Sequence, residues 1–144
     1  MPRSIFFLLM CLTCILGCDP AHTSHTLLDL PPQPLTQPAI AAAMKIVADT
    51  ASELGFENGG MTSDATLSGP LQRFGRMYSP DPQKGLYRSI SISTRKRPEK
   101  DQLELEIWEF LCSGETEYAK TVRLALHDRL VERFSPSAVH SSAK

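Results

Sequence analysis

Apolar and polar positions repeat along this chain at two spacings, and each spacing predicts an element. In the middle of the chain Leu86, Arg88, Ile90, Ile92 and Thr94 alternate with polar residues, and Leu103, Leu105, Ile107, Glu109 and Leu111 do the same after a short polar interval. A period of two puts one set of side chains on each face of a strand, so Leu86–Thr94 and Leu103–Leu111 read as strands joined in an antiparallel hairpin. A two-residue turn at Pro98-Glu99 pairs Ile92 with Leu105, Ile90 with Ile107 and Arg88 with Glu109. A four-residue loop shifts each partner by two and keeps the same faces. A one-residue slip sets Ile92 against Glu104, which burial forbids. The other face carries Tyr87, Ser89, Ser91 and Ser93 beside Glu104, Glu106, Trp108 and Phe110. A further strand is read from about Leu71 to Tyr78.

The second spacing is helical. Ile40, Ala43, Met44, Val47, Ala51 and Leu54 recur on one stripe behind a Thr36 cap and Pro38, and Gly55 followed by Phe56 has the form of a C-terminal cap. From about Thr116 to Phe134 a broader stripe takes in Tyr118, Ala119, Val122, Ala125, Leu126, Leu130 and Phe134, with Leu124 and Val131 off it. Glu115 and Glu117 suit the helix dipole at its start, and Ser135-Pro136 ends it. The order helix, three strands, helix predicts an α+β domain over residues 38–136, with two helices packed on one face of a three-stranded antiparallel sheet.

The N-terminus has another pattern. Arg3 precedes an unbroken apolar run from Ile5 to Leu16, and Asp19 closes it. Twelve helical residues reach roughly 18 Å, short of the about 30 Å of a hydrocarbon core. The run ends in Ile15-Leu16-Gly17-Cys18, which resembles the lipobox of bacterial lipoprotein precursors. The resemblance implies a signal peptide at residues 1–17, cleavage between Gly17 and Cys18, and diacylglycerol and N-acyl chains on Cys18. It places the mature protein on the periplasmic side of a bacterial membrane, with Asp19 favouring the inner membrane. Residues 18–37, with Pro20, Pro31, Pro32 and Pro34, read as a lipidated cysteine and a Pro-rich tether. In that spacer Leu27, Leu28 and Leu30 form a cluster that can dock on the domain. Residues 137–144 read as a polar tail.

With 15 Lys and Arg against 16 Asp and Glu, the chain has no field to gather phosphates, so no nucleic-acid partner is expected. Once the signal is removed and Cys18 acylated, Cys112 is the remaining thiol and no internal disulfide is possible. His22 and His25 lie in the presumed spacer without further ligands, so neither a metal nor another cofactor is expected beyond the acyl chains. Cys112 with His127 and Asp128 is the best nucleophilic set, but neighbours on a helix diverge by about 100°, so His127 and Asp128 are not expected to pair. A small enzyme using Cys112 and His127, or a ligand-binding module with a helix-sheet pocket, is the alternative. The main expectation is a non-catalytic protein-binding module of the envelope, either a secretion-assembly factor or a toxin-immunity protein. Its candidate interface is Tyr87, Trp108 and Phe110, an aromatic cluster with a polar rim. Arg95, Lys96, Arg97 and Lys100 crowd the hairpin tip as a basic patch for anionic headgroups or an acidic partner.

Overall fold

The computed structural model of the chain describes residues 21–30, 37–59, 70–97, 102–110 and 114–143. Strand β1 (Ala21–Asp29) leads to helix α1 (Gln37–Glu53), β2 (Glu57–Asn58) and β3 (Pro70–Asp81). A 3-10 turn at Pro82–Lys84 then gives β4 (Leu86–Arg97), β5 (Gln102–Phe110), helix α2 (Glu117–Phe134) and β6 (Val139–Ala143). The strands form one six-stranded sheet in the order β2-β3-β4-β5-β1-β6, and every neighbouring pair is antiparallel.

The three-stranded sheet expected from the sequence is therefore corrected to six strands within a mixed α+β fold. Most of the difference comes from two segments read as tether and tail. Ala21–Asp29 is an internal strand between β5 and β6, and Val139–Ala143 forms the edge beyond it. The inward positions of β1 are His22, Ser24, Thr26 and Leu28, so its alternation is not one of apolar with polar residues. In the sequence, Pro20 precedes this strand and Pro31-Pro32 follow it, outside the described residues. The docking expected of the tether leucines takes this form: Leu28 and Leu30 are buried in the core, and Leu27 faces the other way.

The four-residue loop sets the β4–β5 register, with Ile92 opposite Ile107 and Arg97 opposite Gln102. A type I turn of two residues splays twisted strands, which is the physical case against the tighter alternative. Ile90, and not Arg88, consequently faces Glu109. The inward face carries Phe74, Ile90, Ile92, Leu103, Leu105 and Ile107, and the buried stripes of the helices meet it through Ala43, Val47, Val122, Leu126 and Leu130. Each large side chain so buried contributes about 1.5–3 kcal/mol relative to exposure.

Both helix ends follow their sequence signals. At the end of α1, Phe56 N–H donates to the Ala51 carbonyl (2.8 Å) and Gly55 N–H to Ser52 (3.0 Å). Gly55 takes φ 76°, and Phe56 is buried behind it. This is a Schellman cap with its apolar contact. Thr116 caps α2 by accepting from Ala119 N–H at 3.1 Å. Arg76 joins the two helices: its Nη1 donates to the Leu54 carbonyl and to the Tyr118 hydroxyl (2.8 Å).

Candidate functional site

Two helices on one face leave the other face of the sheet uncovered among the described residues. Because side chains alternate along a strand, the open face takes Thr23, His25 and Leu27 from β1, Glu104, Glu106, Trp108 and Phe110 from β5, and Tyr87 through Ser93 at odd positions from β4. Trp108 and Phe110 stack with ring centroids 5.5 Å apart and planes at 25°. Both are half-buried. Ser91 lies opposite Trp108 on one side and Thr23 on the other. Tyr87 stands further along β4 and is 63% exposed. The sequence-derived aromatic cluster is thus on one face, with Trp108 and Phe110 in contact and Tyr87 out on the β3–β4 hairpin.

The opposite end of the same face is ionic. His25 Nδ1 lies 2.9 Å from Glu104, and Arg97 Nε 3.5 Å from the other oxygen of that carboxylate. Asp29 accepts from Gln102 Nε2 at 2.6 Å and lies 2.9 Å from His140 Nε2, contacts that lower its pKa below the ordinary carboxylate range. Of the basic patch, Arg95 is exposed, Lys96 and Arg97 are half-buried, and Lys100 lies outside the described residues. Arg97 is already paired, so the patch is weaker than its charge count implies.

Gly17, Cys18 and Cys112 also lie outside the described residues. His22 and His25 project to opposite faces, His22 into the interior and His25 onto the open face, so the two imidazoles do not converge. No group of three or more metal-ligating side chains occurs among the described residues. His127 Nδ1 lies 3.2 Å from Asp128, which corrects the expectation that these neighbours would not pair; Asp128 is exposed.

The sequence did not show a polar cluster buried beneath the start of α2. Glu109 is 1% exposed and accepts from Thr116 Oγ1 (2.8 and 2.9 Å) and from the Tyr78 hydroxyl. Burial, reinforced by the adjacent Glu109 carboxylate, pushes the Tyr78 phenol up, so it stays neutral and donates. Nearby, Arg123 holds Glu115 through two bonds of 2.6 and 2.9 Å and keeps its carboxyl below the ordinary range. One signal was present in the sequence: Glu109 occupies an inward position of an otherwise apolar strand. Its partners, from β3 and α2, were not readable from the hairpin alone.

Open recesses lie on the surface formed by the described residues. One of about 460 Å³ lies beside β2 at Glu57, Asn58, Gly75, Arg76 and Met77, and one of about 500 Å³ lies between the outer sides of the helices at Ile46, Asp49, Arg129 and Glu132. Among the described residues no helix is long and apolar enough to cross a membrane. No family model, curated protein or solved structure matches this chain.

Proposed function

We propose that this protein is a lipid-anchored component of the bacterial envelope, held on the periplasmic side by acyl chains on Cys18 and acting as a non-catalytic protein-binding module through the open sheet face. The observation that supports the binding role is the stacked Trp108–Phe110 pair, half-exposed on a face the helices leave uncovered. A rigid aromatic pair presents apolar area at little entropic cost, and a rim of serines and glutamates supplies orientation. Asp19 after the lipidated cysteine favours the inner membrane, and the partner is another envelope protein, either a secretion component or a toxin.

A photo-crosslinking residue at Ser91, beside Trp108, tests the surface in native cells. The expected result is one discrete adduct that disappears in Trp108→Ala and Phe110→Ala while the circular dichroism of each variant is unchanged. An adduct pattern indifferent to both substitutions overturns the assignment of the interface. The anchor has its own test: Cys18→Ser is expected to block processing and release the protein from membranes, and intact-mass analysis is expected to find acyl chains on a chain beginning at Cys18.

A further inference from the structure

The lipid anchor, on which this inference rests, fixes which end of the sheet meets the bilayer. Strand β1 opens at Ala21, opposite Phe110, and Cys18 is three residues earlier. At about 3.3–3.6 Å per residue the Cα of Cys18 can lie at most roughly 11 Å from that point, and the acylated sulphur about 3 Å further. The tether that would have held the domain away from the membrane is instead sheet.

Register sets what else stands at that level. Ile90 faces Glu109, so Ser89 is level with Phe110 and Ala21. Among the described residues the β3–β4 hairpin alone continues beyond Ser89, with Tyr78 opposite Arg88, Asp81 opposite Leu86, and the turn at Pro82–Lys84 closed by Gly85 at φ 64°. Four residues from Ser89 to Gly85 give an overhang of roughly 13 Å, and β4 is two strands, about 10 Å, from β1. The hairpin tip thus extends about as far as the anchor can reach.

Chemistry at the tip fits a lipid surface. Four large hydrophobic side chains are exposed among the described residues, and three of them, Met77 (62%), Leu86 (57%) and Tyr87 (63%), lie on this hairpin. Single exposed apolar residues are ordinary. Leu86 and Tyr87 together on the overhang are not explained by packing, and Met77 stands behind them opposite Ser89. Lys84 is on the turn, 3.2 Å from Asp81, whereas Arg88 is half-buried opposite Tyr78 and donates a hydrogen bond to its hydroxyl.

We propose that the tip of the β3–β4 hairpin is a second membrane contact, placing Leu86 and Tyr87 at the headgroup level with Lys84 toward the phosphates. Tyrosine favours this interface, and a lysine buries its stem while its ammonium stays wet. The tip needs little intrinsic affinity, because the anchor already holds it at high effective concentration. Two contacts fix an orientation that one lipidated residue leaves free. The strands stand on the membrane, and Arg95–Arg97 lie at the far end of β4, about 36 Å away. The basic patch then faces away from lipid, out of reach of the headgroups.

The test uses the full-length acylated protein in vesicles of phosphatidylethanolamine and phosphatidylglycerol. In a Cys112→Ser background of unchanged circular dichroism, Leu86→Cys, Tyr87→Cys and Arg95→Cys each carry an environment-sensitive fluorophore. The expected result is a blue-shifted probe at Leu86 and Tyr87, quenched several-fold more by bilayer-borne nitroxide than by aqueous iodide, with the reverse at Arg95. Vesicle-bound protein whose Leu86 and Tyr87 probes are as iodide-accessible as Arg95 overturns the tip contact alone. Protein that carries no acyl chain and does not float with vesicles overturns the anchor, and the tip contact with it.

Discussion

Strands β1 and β5 lie side by side for their whole length, bury the same face, and are built on opposite chemistry. The inward positions of β5 are Leu103, Leu105, Ile107 and Glu109, and those of β1 are His22, Ser24, Thr26 and Leu28. One strand carries most of its stability in apolar area and one polar exception. The other reverses the proportion. Two of the buried polar groups that depart from the apolar rule are tied down, Thr26 to Ser141 at 2.9 Å and Glu109 to Thr116 and Tyr78, whereas Ser24 Oγ and His22 Nε2 are buried without a hydrogen-bond partner among the described residues. Strand β1 is therefore held in the sheet by its backbone ladders to β5 and β6 more than by the apolar area of its own side chains.

The comparison breaks most sharply on the β5 side. Leu105→Ala removes a fully buried side chain and is expected to cost about 2–5 kcal/mol, read as a fall in the urea midpoint at constant slope. Next, Tyr78→Phe takes a donor from the buried Glu109 carboxylate and is expected to cost about 1–3 kcal/mol. On the β1 side, Thr26→Val is expected to cost about 1 kcal/mol, because it leaves Ser141 without its partner. The double variant Thr26→Val, Ser141→Ala is expected to recover most of that loss. A double variant as costly as the sum of its singles removes the hydrogen bond from the account of β1.

The smallest effect concerns pH. Arg123 holds the folded-state pKa of Glu115 below its ordinary value, so folding favours the carboxylate. That contribution is fully present above the ordinary value and is lost as pH falls through the lowered one. Arg123→Gln is expected to flatten the acid limb of a stability–pH curve, by less than about 1 kcal/mol at neutral pH.

The same contrast explains what the sequence made legible. The helices, their caps, and the faces of β4 and β5 were readable because apolar residues mark them at a fixed period, as with Val122, Leu126 and Leu130 or Ile90 and Ile92. Strands β1 and β6 were not, because β1 has one leucine among its four buried positions and β6 has Val139 as its one buried hydrophobic residue. Their identity as strands depends on partners more than 70 residues away, a relation that no local window contains. The hairpin register was legible to within two residues, since shifting by two preserves every face. For the candidate site, the placement of Trp108, Phe110 and Tyr87 on the face away from the apolar stripe followed from alternation alone. The cluster around Glu109 did not, since it joins β3, β5 and α2.

The placement of β1 also governs when the molecule can assemble. The strand nearest the N-terminus is made first, yet its two neighbours, β5 and β6, are among the last segments to be synthesised. Closing loops of that length is slow compared with forming a local hairpin. Strand β1 therefore stays unpaired while the β3–β4 and β4–β5 hairpins can close locally, and the finished sheet waits on a contact that spans more than 70 residues.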